Sequence, residues 1–270
     1  MKRLEEQDLL NRIAENGPCL AAVFTSFSFD PRFFEDHVLR AALAIDRDPE
    51  EQPLEYADAA RRSLQERPVV VIVDAHQRQP GRRLPYDLLD VRRAVFHPKS
   101  ALLVFDTGAR LLIGSGNLTK HGFGGNAELF FSVDLDYHDA KDSWLLRAFI
   151  AHLERARAFA GPAGTQLPAA LDVLRRRLPP ESLPQPTGPH RVALLDSTIG
   201  AIADQLLELL PEVRSKVMNS ADPLLAALGV SIIGNYMDCA VLERYDWESE
   251  LETLEEGVDR DLFGVFMEKV

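Results

Sequence analysis

The chain has 270 residues, 46% of them hydrophobic, which is ordinary for a globular protein and enough for one large domain or two modest ones. Its formal charge of −12 argues against a surface that binds nucleic acid over its whole extent. Without an apolar run long enough for a membrane helix or a signal-peptide core, and with only Cys19 and Cys239 placed far apart in apolar contexts, we expect a soluble cytoplasmic protein with buried free thiols, no membrane association and no structural metal.

Residues 1–15 carry Leu4, Leu9, Leu10 and Ile13 at helical spacing, and Asn16-Gly17-Pro18 is a strong stop. Cys19 to Phe27 reads as a strand. Asp30 is then a good N-cap with Pro31 at the first helical position, and the helix runs through Val38, Leu39, Ala42 and Leu43, with His37 as a packing or surface residue. Asp46 to Asp58 is an acidic connection leading into a short helix through Arg67. The next run, PVVVIVDA from Pro68 to Ala75, is apolar and β-branched, as a strand buried on both faces requires. After it, His76 to Leu84 forms a polar loop at a strand end of the kind where α/β sheets bind ligands. Arg78, Arg82 and Arg83 in this loop are candidate backbone-phosphate contacts, against the plainer reading of a solvated loop. Tyr86 to Asp90 leads into the strand of the next segment, which carries the chemistry.

That segment runs from Phe96 to Phe130. If Val95 to Leu103 is a strand, His97 and Lys99 project side by side on one face, which sets an imidazole beside a fixed positive charge. Asp106-Thr107-Gly108-Ala109 has the composition of a hairpin connection, so the strand containing Leu111 to Ile113 returns to the same end. There the chain reads Gly114-Ser115-Gly116-Asn117. Two glycines let backbone approach an anion, Ser115 and Asn117 offer neutral donors, and phosphate is the ligand this chemistry suits. Ala127 to Asp134 reads as a third strand, with Glu128 placed to orient an imidazole in the manner of a nucleophile, base and orienter set.

Charge is distributed unevenly. Residues 61–120 hold 11 Lys and Arg against 5 Asp and Glu, while residues 241–270 hold 3 against 10. The basic stretch is the one with the phosphate-binding pattern, as a polyanion cleft would need, although charge runs are more often solvated faces.

Beyond Asp134, a helix is expected from about Asp139 to Ala160, with Leu145, Phe149, His152, Leu153 and Ala156 as its apolar stripe. His152 reads there as a core or rim residue. A further helix covers Leu167 to Leu178, its C-terminal arginines suiting the helix dipole. Residues 179–189 contain five prolines and form the best linker. Past it we expect a strand from His190 to Ser197, helices over Thr198 to Leu210 and Pro223 to Gly229, and an acidic amphipathic segment from Glu243 to Lys269.

The motif resembles the phospholipase D superfamily in its HKD nuclease branch. His97-Pro98-Lys99 matches H-x-K, Gly114-Ser115-Gly116-Asn117 matches G-S-x-N, and Asn126-Ala127-Glu128 is similar to the closing N-x-E. The matched stretch is about an eighth of the chain, and SFSFDPRFFEDHVL upstream resembles the branch's opening strand and helix. One departure is plain: the family places an Asp five residues after the Lys, where this chain has Val104, and the nearest acid is Asp106.

The resemblance implies an α/β fold, a phospholipase D-like mixed sheet flanked by helices, with a helical C-terminal extension. Together with the chain's own pattern, it gives a phospholipase D-like catalytic domain at 1–178, a Pro-rich linker at 179–189 and a C-terminal, largely helical acidic segment at 190–270 for assembly or partner binding. It implies phosphodiester cleavage without metal or cofactor, DNA rather than RNA being favoured, through a phosphohistidine. His97 would be nucleophile or acid, Lys99 and Asn117 phosphate ligands, Ser115 a supporting donor with Gly114 and Gly116, and Glu128 the orienter of the imidazole. The mechanism needs two H-x-K motifs and the chain has one, so single-motif members complete the site as homodimers. The alternative is a non-cleaving or partner-gated nucleic-acid-binding subunit of a larger assembly, with a motor or antiviral defence complex as its partner.

Overall fold

The computed structural model describes residues 6–92, 96–125, 128, 130–160, 166–180, 192–196, 199, 205 and 239–243. Its centre is a pair of parallel strands, β1 (Ala21–Ser26) and β2 (Val69–Asp74), every residue of which is buried. Residues buried on both faces need cover on both sides, and the remaining elements supply it. The sheet has six strands in the order β3-β2-β1-β4-β5-β6, with β3 as Asp87–Val91, β4 as Ser100–Val104, β5 as Ala109–Gly114 and β6 as Phe130–Leu135. It is mixed: β3, β2 and β1 are parallel, while β4, β5 and β6 each run antiparallel to the preceding neighbour.

One face is covered by α1 (Glu6–Ala14), by a continuous helix made of α2 (Pro31–Phe33), a π-helical stretch (Phe34–Leu39) and α3 (Arg40–Leu43), and by α4 (Pro53–Glu66). Phe24, Val71, Val73, Ala101, Leu103 and Leu112 meet this layer. The other face is covered by α5 (Ala140–Ala160) and α6 (Gln166–Arg175), onto which Val23, Val70, Ile72, Leu102, Val104 and Leu111 project. The alternation along each strand assigns successive residues to opposite cores. The fold is therefore a mixed six-stranded sheet flanked by helices, as the sequence implies.

Local chemistry accounts for the element ends. The carboxylate of Asp30 accepts from the backbone N–H of Arg32 and Phe33 at 2.9 and 3.2 Å, capping the helix that Pro31 begins. The β4–β5 hairpin closes with Phe105 N–H donating to the Gly108 carbonyl at 2.9 Å. The connection after Glu50 forms a helix of 14 residues, longer than the sequence suggests, because Tyr56, Ala60 and Leu64 give it a buried stripe.

Three sequence expectations require correction. Tyr86 to Asp90 does not lead directly into the H-x-K strand; residues 87–91 form the edge strand β3, separated from β4 by β2 and β1. Among the described residues of the expected strand Val95–Leu103, the extended ladder begins only at Ser100. Pro98 has no N–H to offer a ladder, and β1 runs out at this end, Thr25 against Ser100 being the last pair. Likewise, among the described residues of the expected strand Ala127–Asp134, β6 starts at Phe130, paired with Gly114.

Past the linker, β7 (Val192–Asp196) matches the expected strand and pairs antiparallel with β8 (Cys239–Glu243). Glu243, expected to open an acidic helical segment, instead closes β8; apart from residues 199 and 205, the helices expected over 198–210, 223–229 and 244–269, and the expected linker beyond Pro180, lie outside the described residues.

Candidate active site

The described residues of the motif converge on one end of the sheet. β1 and β2 finish there, β4 starts there, β5 returns to it and β6 leaves from it. Phe96 to Lys99 enter this end as irregular chain. Asp74, at the last position of β2 and 3% exposed, accepts from the backbone N–H of His76 at 2.9 Å and of Phe96 at 3.0 Å. On the other side, the Gly114 N–H donates to the Lys99 carbonyl at 3.0 Å. The H-x-K segment is thus pinned at both ends although it is not a strand.

His97 is half-buried and Lys99 is 7% exposed. The Lys99 Nζ lies 2.9 Å from His97 Nδ1 and donates to the His97 carbonyl at 2.8 Å. The pairing expected from a strand is therefore kept, by a side chain folding back on its own segment. Phe27, directly after β1, packs its ring against the His97 imidazole with centroids 4.7 Å apart, and Lys99 Nζ lies 5.7 Å from the centre of that same ring.

The loop 114–117 is fixed by the same exit from β1. Asn117 Oδ1 accepts from the Ser28 N–H at 3.0 Å, and Ser26 Oγ accepts from the Leu118 N–H at 2.9 Å while donating to the Ser28 carbonyl at 2.6 Å. A backbone N–H can only meet the amide oxygen, so this contact fixes the flip of Asn117 and leaves its NH₂ as the donating end of the side chain. Gly116 is required by packing: a Cβ there would stand 2.5 Å from the Phe130 ring and run into the Gly122 carbonyl. Glu128 accepts from Ser115 Oγ at 2.5 Å, a charge-assisted bond that orients the hydroxyl. Asn126, the first residue of N-x-E, lies outside the described residues.

Val104, five residues after Lys99, is 2% exposed and packs in the α5/α6 core. A carboxylate there would be buried among apolar side chains, which is a physical reason for its absence from this chain.

The arginine loop lies on the other side of the β1 exit. Phe29 bridges to Arg78 on one flank and Leu118 on the other, with Gln79 N–H donating to the Phe29 carbonyl at 2.8 Å. All three guanidinium groups are engaged within the chain. Arg78 pairs with Asp90 at 2.7 Å, Arg82 donates to the Tyr86 carbonyl at 2.9 Å, and Arg83 bonds Glu35 at 2.8 Å and Asp36 at 2.5 Å. Glu35 is fully buried and also accepts from the Arg83 and Leu84 backbone N–H groups at 2.8 and 3.2 Å. These partners give the arginines structural work that the sequence did not reveal.

Ser26, Phe27, Ser28 and Asp74 escape sequence reasoning. Each acts on a residue far along the chain, and an aromatic or a serine after an apolar run carries no signature. Glu35 did leave a signal, a carboxylate at a position of the Pro31 helix that the apolar spacing turns inward. His37 stacks on Phe33 at 5.1 Å and His152 is buried on α5, as packing residues.

No family model and no curated protein matches the chain. Among solved structures, yeast tyrosyl-DNA phosphodiesterase is similar at 12% identity over 54% of this chain and 33% of that one, with a TM-score of 0.36. A mutant of the same yeast enzyme is similar at 11% identity, with the same coverage and TM-score. This chain thus spans about a third of the length of those enzymes.

Proposed function

We propose that the chain is a metal-independent phosphodiesterase of the phospholipase D superfamily that cleaves nucleic acid, DNA in preference to RNA, with a site completed by a second copy. The observation that carries this reading is the contact of Lys99 Nζ with His97 Nδ1 at 2.9 Å, at the sheet end that also receives the 114–117 loop. Lys99, the Asn117 NH₂ and the backbone of Gly114 to Gly116 would bind the phosphate oxygens. His97 of one chain attacks phosphorus, forming the N–P bond as the P–O bond breaks. His97 of the second chain gives its proton to the departing oxygen. Water then attacks the phosphohistidine, losing a proton to that same second imidazole and freeing the first. Positioned cation and amide donors supply the charge stabilisation the transferring phosphoryl group requires.

The test is a panel of single- and double-stranded DNA and RNA incubated in excess EDTA, wild type beside His97→Ala, with light scattering to fix the oligomeric state. Cleavage in EDTA by a dimer, lost in His97→Ala, is the expected result. Cleavage that needs added Mg²⁺, or that survives His97→Ala, overturns the reading. A monomer that binds nucleic acid without cutting supports a partner-gated subunit instead.

A further inference from the structure

We infer that Phe27 is the positioning residue for the His97 imidazole. This rests on the reading of His97 as the nucleophile. A phosphoryl acceptor must present one ring nitrogen along the line of attack, and a small misplacement costs rate steeply. Hydrogen bonds alone could hold the ring, but each occupies a nitrogen. An apolar ring against the imidazole face limits its rotation and itself takes neither nitrogen, while Lys99 Nζ lies 2.9 Å from Nδ1 and 3.2 Å from Nε2.

The geometry provides this. Phe27, His97 and Lys99 form a closed triangle: ring to ring 4.7 Å with planes inclined at 48°, Lys99 Nζ to His97 Nδ1 2.9 Å, and Lys99 Nζ to the Phe27 centroid 5.7 Å. The aromatic ring favours the ammonium and bounds the imidazole beside it. Phe27 itself is held by its neighbours, because Ser26 and Ser28 on either side are bonded to Leu118 and Asn117. The same three-residue exit from β1 therefore sets the imidazole through Phe27 and the phosphate-binding amide through Ser28.

The experiment compares wild type with Phe27→Leu, Phe27→Met and Phe27→Tyr in two arms. In free protein, the His97 Cε1–H resonance, assigned by its loss in His97→Gln, reports the ring-current field of Phe27. It should move on Phe27→Leu and Phe27→Met and stay near its wild-type position in Phe27→Tyr. In turnover on single-stranded DNA in EDTA, the aliphatic variants should lose about tenfold to a hundredfold in kcat with KM within about twofold, and Phe27→Tyr should recover most of it. An unchanged His97 resonance in Phe27→Leu and Phe27→Met overturns the inference, as does a loss confined to KM. The Met variant serves if the Leu variant does not fold. A wild type that cuts nothing in EDTA defeats the hydrolytic reading instead, and the resonance comparison still decides whether Phe27 holds the ring.

Discussion

The buried carboxylate of Asp74 accepts the backbone N–H of Phe96 at 3.0 Å, so the last residue of a central strand fixes the chain one step before His97. Its other oxygen takes the His76 N–H at 2.9 Å. Asp74→Ala leaves two N–H donors without this acceptor and should cost about 2–4 kcal/mol, measured by urea denaturation. The folded fraction should also lose most of its cleavage activity. Asp74→Asn keeps one acceptor oxygen and should fall between the two. A fully active and stable Asp74→Ala would show that the H-x-K segment is held by other contacts.

Gly116 and Gly122 pack backbone against backbone. A Cβ at Gly116 meets the Gly122 carbonyl, and one at Gly122 stands 2.5 Å from the Asn117 nitrogen. Neither backbone can yield without moving the loop. We expect Gly116→Ala and Gly122→Ala each to lose about 1–3 kcal/mol and to lower activity together with stability, as overpacking does. Wild-type denaturation midpoints in both variants would refute the close packing.

Acid should loosen the seam between α1 and the β5–β6 pair. Burial works against ionisation of Asp134, but bonds from Arg110 and Arg12 outweigh it and hold the carboxyl below its usual range. A carboxyl depressed in the folded state contributes stability above its unfolded value, and that contribution is lost as pH falls below about 4. Because the Asp134 side chain is 50% exposed, the effect should stay within about 1 kcal/mol. Urea midpoints from pH 6 down to pH 3 should drop more steeply for wild type than for Asp134→Asn. Parallel curves would count against the pairing.

Ala44 ends the Pro31–Leu43 helix region with φ 50° and ψ 48°, a left-handed position that glycine occupies without strain. The residue is exposed, so substitution loses little packing. Ala44→Gly should stabilise the protein by roughly 0.5–1 kcal/mol after the added flexibility of the unfolded chain is set against the relief. A lower melting temperature would contradict this.

The patterned elements were legible in the sequence. The continuous apolar run of β2 announced a strand buried on both faces, Asp30-Pro31 announced a capped helix start, and Asp106 to Gly108 announced the hairpin that returns the chain toward His97. These signals are local, since period, cap and turn chemistry act over a few residues. The residue types of the candidate site, His97, Lys99, Ser115, Asn117 and Glu128, could be read in the same way. Their mutual arrangement could not. That the H-x-K segment is an irregular entry, that Ser28 fixes the Asn117 amide, that Glu128 meets Ser115, and that Arg83 is tied to a buried Glu35 all depend on contacts between residues distant in sequence. Strand order and register decide such contacts, and neither leaves a local trace when the partners are ordinary serines, a phenylalanine or a lone carboxylate. The sequence by itself determined which groups are present; the tertiary structure decided that the exit from β1 is what holds them in place.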